Sequence, residues 1–265
     1  MGSRVNREDK LSNLPGSILV YILSFLPTVD AVRTMLIKKS FVGLWTSLPI
    51  LDLEDFSFNY SNIFDDDNDE KGSSSMRDLP FFNFVRNVLS RHTRPKTVKF
   101  RVNIDQVMYY EIEDWNLRHE LESWISFALR KQVVVLDFGV GLMEPFFEIC
   151  KWPHPEFASD FLVELRLEYV NVDSLTQVKI GLLRILRLVR VEVTDSIFEL
   201  IICGCPLLEE VQIYNCDLSM LNLSTVKKLI LDVNELSFYS SEDDNFQQVV
   251  KINGQISDPL ILLDM

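Results

Sequence analysis

The chain has 265 residues, of which 47% are hydrophobic and 25% charged, and its formal net charge is −13. This composition predicts one or two globular domains with a sizeable core, and it excludes wholesale disorder. The acidic balance disfavours a nucleic-acid backbone as partner. The first residues are polar and no apolar run is long enough to span a bilayer, so we expect no signal peptide, no membrane partner and an intracellular protein of the cytoplasm, the nucleus or both.

The first predicted element is a helix in the apolar block 14–27. Pro15 is tolerated in a first helical turn because its missing N–H would be unpaired there, and Pro27 ends the helix. The block carries two apolar stripes, whereas a helix of a small module needs only one for its own core. The second stripe is therefore predicted to face a partner protein. The stripes consist of Ile18, Ile22 and Phe25 or Leu26, and of Leu19, Leu23 and Leu26.

A second amphipathic helix is predicted directly after this block, and the whole run 9–49 then forms a recognisable motif. It resembles the F-box of plant-type F-box/leucine-rich-repeat proteins and keeps both Leu-Pro pairs. At 38–41 it has Lys-Lys-Ser-Phe where the family usually has Ser-Lys-Arg-Trp. The resemblance implies a three-helix module that binds a Skp-family adaptor, which in turn binds a cullin. The expected adaptor-binding residues are Leu14, Pro15, Ile18, Leu19, Ile22, Leu23, Leu26, Pro27, Val32, Leu36 and Trp45.

Charge is distributed unevenly between this module and the rest of the chain. Residues 1–50 carry a net charge of +3, which leaves −16 for the remainder. A mildly basic module on an acidic body suits an acidic partner at the N-terminal end. The resemblance implies such a partner, because Skp-family adaptors are acidic.

An acidic, serine-rich stretch from Asp65 to Ser75 is typical of a solvated linker. It lacks the glycine and the final glutamate that a calcium-binding loop needs. We therefore divide the chain into a module at 1–50, a flexible acidic linker at 51–80 and a repeat region at 81–265. Helices are predicted over 81–89 and 115–129.

From about residue 95 the chain repeats the spacing apolar-x-x-apolar-x-apolar. Copies begin at 133, 162, 183, 208 and 226, with a weaker copy near 98 and an ambiguous register at 218. Each copy is expected to form a short parallel strand, and neighbouring copies stack because one copy alone cannot bury its apolar side. The predicted fold class is α/β, with an N-terminal three-helix F-box followed by an irregular leucine-rich-repeat solenoid that has a parallel curved sheet.

The segment 201–210 resembles the Gly-Cys-Pro-Leu-Leu-Glu turn of the same family. The resemblance thus covers nearly the whole chain, to about residue 234. It points to the FBD-associated type, and we expect this chain, which ends at Met265, to lack the C-terminal FBD domain and to have a truncated end of the solenoid.

Alternation along the predicted strands sends every second side chain to a concave face. Arg166 and Arg187 should lie side by side on adjacent strands, with Tyr214 one strand further and offset by one exposed position. Two interpretations stay open: an anchor cluster for a target protein, or ion pairs with Glu164, Glu168 and Glu210. The candidate substrate-binding residues are Glu164, Arg166, Arg187, Gln212 and Tyr214.

Motifs for catalysis and metal binding are weak. The four cysteines lack paired C-x-x-C spacing, so we expect reduced thiols and no metal. The three histidines lie in no motif with a nucleophile or paired carboxylates. We therefore expect no cofactor and no enzymatic activity.

The function predicted from the sequence is that of a non-catalytic substrate adaptor of a Skp–cullin–F-box ubiquitin ligase, which holds an unknown target protein near the ligase. The alternative is a leucine-rich-repeat scaffold or decoy whose altered 38–41 stretch no longer engages the adaptor. A small-molecule receptor is a third possibility.

Overall fold

The computed structural model describes residues 13–36, 41–58, 80–104, 115–141, 150–223, 226–232, 251–253 and 261–262. The α-helices in these ranges are α1 (Gly16–Leu23), α2 (Thr28–Arg33), α3 (Pro80–Arg91), α4 (Trp115–Arg130) and α5 (Asp195–Gly204). The strands are β1 (Ile50–Glu54), β2 (Lys99–Ile104), β3 (Val135–Val140), β4 (Cys150–Lys151), β5 (Glu156–Ala158), β6 (Glu164–Glu168), β7 (Val170–Asn171), β8 (Gln177–Lys179), β9 (Ile185–Val189), β10 (Glu210–Tyr214), β11 (Met220–Asn222), β12 (Lys228–Asp232), β13 (Lys251–Asn253) and β14 (Ile261–Leu262).

The N-terminal module, residues 13–48, begins with two short α-helices that prolines delimit. Pro15 and Pro27 precede α1 and α2 with extended ψ angles of 144°. Both helices lie where the sequence predicts them. After α2 the described part of the module contains the one-turn 3₁₀ helices Thr34–Leu36 and Leu44–Ser47, and Phe41 is also in 3₁₀ conformation. The predicted three-helix arrangement is therefore not confirmed, and a physical reason is Gly43, whose φ of 84° breaks helical geometry just before the second 3₁₀ turn.

An eight-stranded parallel sheet organises the rest of the described chain, in the order β1-β2-β3-β6-β9-β10-β12-β14. In each repeat the two apolar residues of the template alternate with more exposed positions, as Leu165 and Leu167 do in β6. The predicted copies at 98, 133, 162, 183, 208 and 226 become β2, β3, β6, β9, β10 and β12, so the parallel repeat sheet is confirmed. The ambiguous copy at 218 instead forms β11, which pairs with β13 outside this sheet.

The predicted linker at 51–80 begins too early. Strand β1 pairs in parallel with β2, and Leu51 and Leu53 are buried in the core. The backbone N–H of Asp52 also donates a hydrogen bond of 2.7 Å to the Thr28 hydroxyl of α2. Residues 51–58 therefore belong to the folded body, while the acidic stretch 63–75 lies outside the described residues.

One hydrophobic core runs from the N-terminal module into the repeats. Leu23, Ala31 and Trp45 of the module belong to the same buried cluster as the inward-facing residues of the sheet. Backbone hydrogen bonds add to this connection, since Thr93 N–H donates to the Thr46 carbonyl at 2.8 Å. The module and the repeat region therefore share one core across the predicted boundary at residue 50.

The helices α3, α4 and α5 connect successive strands of the main sheet and pack on the face that carries the buried residues. Helices α3 and α4 are joined by a buried carboxylate, because Glu120 accepts hydrogen bonds from Arg86 Nε at 2.6 Å and Nη2 at 3.0 Å. At the end of α5, a Cβ on Gly204 would lie only 2.4 Å from the Val178 carbonyl oxygen. A glycine is therefore required there by close packing.

Candidate protein-binding surfaces

The N-terminal module exposes an apolar face on α1 and the turn after it. We define this apolar face as Ile18, Tyr21, Ile22, Phe25 and Leu26, which are 39–71% exposed. The first four lie within about 100° of the helix circumference. The neighbouring Leu19 and Leu23 are buried. Of the two predicted stripes, the one with Ile18, Ile22 and Phe25 is thus exposed, whereas the other is buried at Leu19 and Leu23 but exposed at Leu26.

Among the described residues, exposed large apolar side chains are concentrated in the N-terminal part. Of the eleven large hydrophobic residues that are exposed among the described residues, eight lie before residue 59. Tyr21 and Phe25 also stack edge to face, with their ring centroids 5.0 Å apart. Rigid aromatic side chains in an exposed cluster are typical of interface anchors.

The structure divides the predicted adaptor-binding residues into three groups. Pro15, Ile18, Ile22, Leu26 and Leu36 are exposed, whereas Leu14, Pro27 and Val32 are half-buried. Leu19, Leu23 and Trp45 are buried, and we correct their assignment to the docking surface because their side chains fill the core.

Sequence reasoning left Tyr21 and Phe25 out of the docking set. The signal was present in the i, i+3 and i+4 spacing of residues 18, 21, 22 and 25.

The second surface is the open face of the main sheet, which corresponds to the predicted concave face. It carries the outward side chains of the strands. Arg166 and Arg187 are register partners, Gln212 follows on β10, and Tyr214 lies two residues beyond Gln212. The predicted placement of the two arginines and the tyrosine is therefore confirmed.

Ion pairs dominate this open face. Arg166 donates to Asp137 at 3.0 Å and to Glu168 at 2.6 Å, and Arg187 donates to Glu164 at 2.9 Å. The ion-pair interpretation is thus correct for Glu164 and Glu168. The carboxylate of Glu210 instead accepts hydrogen bonds from Lys228 at 3.0 Å and from Gln212, and it interacts with Arg187 through charge without a hydrogen bond.

The pairing extends across four strands along one row of the sheet. Arg101 on β2 lies between Asp52 on β1 and Asp137 on β3, at N–O distances of 3.3 and 3.4 Å. It also contacts Glu54. Asp137 is in turn bound by Arg166, so opposite charges alternate from β1 to β6.

A cavity of about 450 Å³ lies at the carboxyl end of β9 and β10. It brings together four of the five predicted substrate-binding residues, and Glu164 is the one that does not line it. The lining residues are Arg166, Arg187, Val189, Arg190, Gln212, Tyr214 and Asn215.

Sequence reasoning missed Arg190 and Asn215, which reach this cavity through an unusual backbone. Tyr169, Arg190 and Asn215 each follow a strand of the main sheet directly and have φ angles of 49–55°. Such angles are uncommon for residues other than glycine and cost about 1–3 kcal/mol each where they are strained.

Three of the four cysteines, Cys150, Cys205 and Cys216, are buried. Burial raises the pKa of Cys216 to about 11 and that of Cys205 to about 12, and it also raises the pKa of Cys150. These thiols stay protonated and unreactive near neutral pH. Within the part of the chain that the structure describes, no three His, Cys, Asp or Glu side chains come together as a metal site.

In the same part of the chain, no helix has the length and apolarity of a membrane span.

The fold and the two surfaces define a class: a leucine-rich-repeat-type α/β protein whose first strand is covered by a small helical module with an exposed apolar face. An F-box/FBD/LRR-repeat protein of Arabidopsis thaliana is 26% identical over 276 aligned positions, which cover 97% of this chain and 56% of that protein. An FBD-associated F-box protein of the same plant is 27% identical, with coverage of 90% and 46%. A further F-box/FBD/LRR-repeat protein is 28% identical, with coverage of 86% and 48%.

The chain is thus similar over most of its length to plant F-box/leucine-rich-repeat proteins. The chain spans about half the length of the curated relatives it matches. No protein-family model matches it, and no solved structure gives a significant match.

Proposed function

We propose that the protein is a substrate-recognition adaptor of a Skp–cullin–F-box ubiquitin ligase. The apolar face on α1 carries this proposal, because it leaves five large apolar side chains without cover on a module whose other side is already packed into the shared core. The F-box type of the relatives favours a Skp-family adaptor as the protein that covers it. The cullin would be reached through that adaptor.

The chain has no catalytic role in this proposal, and it acts by raising the effective concentration of a target near the ligase. The shared core supports such a role, since it fixes the direction of the apolar face relative to the open face of the sheet. A target held on the open face would then have a defined position relative to the adaptor.

The alternative is a repeat scaffold or decoy whose altered 38–41 stretch no longer engages the adaptor. Phe41 bears on this choice. It stands where the family usually has tryptophan, and its side chain is only 6% exposed. An aromatic ring thus still fills the core at this position, which favours a competent module over a degenerate one.

Capture of a purified Skp-family adaptor by the full-length chain tests the proposal. Phe25→Asp combined with Ile22→Asp should weaken capture about a hundredfold or more, because each change places a charge in the proposed interface. The matched control is Leu207→Asp, since Leu207 is 45% exposed and Ile22 is 40% exposed, but Leu207 lies in the repeat region.

Thermal melting of each variant shows whether it is folded, and Phe25→Asp alone serves if the double variant is not, because Phe25 is the most exposed residue of the apolar face. Undiminished capture by folded Phe25→Asp would contradict the proposed docking surface. Absence of capture by the unaltered chain would favour the scaffold or decoy.

A further inference from the structure

The cavity on the open face brings three arginines together in an acidic chain, and carboxylates just outside its lining pair with two of them. Three of its seven lining residues are arginines, Arg166, Arg187 and Arg190, while the protein as a whole has a net charge of −13. Among the described residues that line it, none has a carboxylate. An arginine cluster of this kind attracts a group with negative charge.

Carboxylates next to the cavity orient two of its arginines, Arg166 and Arg187, and the printed bonds use only some of the donors of these two residues. Each guanidinium has five N–H groups. Arg166 donates one hydrogen bond to Asp137 on β3 and one to Glu168 on its own strand, β6. Arg187 uses its Nη1 for Glu164, and its buried Nε has no hydrogen-bond partner among the described residues. Guanidinium groups that are held on one side suit bidentate recognition of a planar or tetrahedral anion on the other.

The remaining lining residues suit a ligand that is more than a single ion. Gln212 and Tyr214 supply neutral hydrogen-bonding groups, and Val189 supplies an apolar one. The cavity also continues the row of outward side chains along β6, β9 and β10, so a chain lying across the strands could place one side chain into it.

We propose that this cavity binds a carboxylate or phosphate group on a side chain of the target protein, so that the target is recognised through an acidic or phosphorylated segment. The inference rests on the proposed function, because it names the chemistry of the target that the adaptor would hold. The volume of about 450 Å³ leaves room for the charged side chain and its immediate neighbours.

Fluorescence anisotropy with labelled glycine- and serine-rich peptides tests this inference on the full-length chain. Three peptides differ only at their central residue, which is phosphoserine, glutamate or unmodified serine. We expect at least one charged peptide to bind about tenfold more tightly than the serine peptide. The comparison of phosphoserine with glutamate distinguishes a phosphate from a carboxylate, and inorganic phosphate should compete with whichever peptide binds.

Single substitutions then locate the binding. Arg187→Gln and Arg190→Gln should each weaken binding of the charged peptide by about tenfold. The matched control is Arg184→Gln, which removes the same charge just before β9 but affects a residue that pairs with Glu209 at 3.1 Å and does not line the cavity. This control should stay within about twofold of the unaltered chain, and thermal melting verifies that all variants fold.

Equal binding of the three peptides, or no binding of any, overturns the inference, as does a loss in Arg184→Gln equal to that in Arg187→Gln. Adaptor capture measured on the same samples separates this failure from that of the proposed function. A chain that captures the adaptor but does not prefer charged peptides overturns the inference alone. A chain that prefers them but does not capture the adaptor overturns the proposed function and leaves an anion site on a non-ligase repeat protein.

Discussion

The N-terminal module and the repeat sheet expose opposite chemistry on one continuous core. On the module, Ile22 and Phe25 are exposed beside the buried Leu23, so apolar area is left for another molecule to cover. On the open face of the sheet, Arg101 and Arg166 are exposed only in part and are already paired with carboxylates of neighbouring strands. The apolar face therefore depends on a partner, whereas the charged row is largely satisfied within the protein.

This difference indicates where binding energy and selectivity would arise. Apolar area gains free energy in proportion to the surface removed from water, about 25 cal/mol per Å². Paired surface charges contribute little to affinity, because their attraction is already used within the chain. On the open face, discrimination between partners would thus come from the few donors that remain at the cavity around Arg187.

The largest expected effect on the free energy of unfolding distinguishes two adjacent residues of α1, the buried Leu23 and the exposed Ile22. Leu23→Ala should lower the free energy of unfolding by about 2–5 kcal/mol, since it opens a cavity in the shared core, whereas Ile22→Ala should lower it by under about 1 kcal/mol. The order should reverse for adaptor capture. Urea denaturation followed by far-UV circular dichroism measures the first quantity.

Urea denaturation of Leu23→Ala also tests whether the module and the repeats share one core. If Leu23→Ala shifted only a small early transition and left the main one unchanged, the module and the repeats would unfold as separate units. A single shifted transition is expected, because Leu23 belongs to the buried cluster that continues into the sheet.

A smaller effect is expected from two arginines, one in each region. Arg166→Gln should destabilise the protein by about 1–2 kcal/mol, because it leaves Asp137 and Glu168 close together without their cation. Its side chain is 27% exposed, which limits the loss. Arg33→Gln should cost under about 0.5 kcal/mol, since Arg33 and Asp30 form an exposed pair on α2. If urea denaturation gave the same loss of unfolding free energy for both variants, the ion pairs of Arg166 on the sheet would be no stronger than an ordinary surface pair.

The repeat sheet could be predicted well because its signal is local and periodic. The template residues Leu165 and Leu167, or Leu186 and Leu188, identify both a strand and its buried side, and equal positions in successive copies give the register. That is why Arg166 and Arg187 could be placed side by side. Strand β1 fits the same template through Leu48, Leu51 and Leu53, but the acidic residues between and after them favoured a linker.

Other features depend on contacts that no local pattern contains. The bridge that Arg101 makes between Asp52 and Asp137 requires three strands in register, and these come from distant parts of the chain. The left-handed backbone at Arg190 could not be predicted from the sequence either, because arginine has no preference for this conformation. Burial of Leu19, Leu23 and Trp45 follows from tertiary packing, in which α1 lies against the 3₁₀ helix Leu44–Ser47, whereas the family resemblance had grouped these residues with the exposed ones.

The smallest expected effect concerns the junction between the two regions. The buried ring of His92 lies there, and its Nε2 donates a hydrogen bond of 2.9 Å to the Leu48 carbonyl. Burial lowers the pKa of His92 below its ordinary value of 6.5, and the nearby charges of Lys131 and Arg94 act in the same direction, while the bond to Leu48 opposes them. The unfolded chain therefore binds a proton more readily than the folded one, so stability should fall as the pH drops below about 6.5 towards the lowered pKa.

His92→Gln isolates this contribution, because the glutamine amide can still donate to the Leu48 carbonyl but does not titrate. Urea denaturation of the two proteins at pH 7.5 and at pH 5.5 should show the unaltered chain losing more stability than the variant over that interval. All other titrating groups are common to both proteins, so the difference belongs to His92. Identical pH dependence would mean that His92 becomes protonated in the folded state as easily as in the unfolded chain, and that the junction is open to water rather than part of the core that joins the module to the sheet.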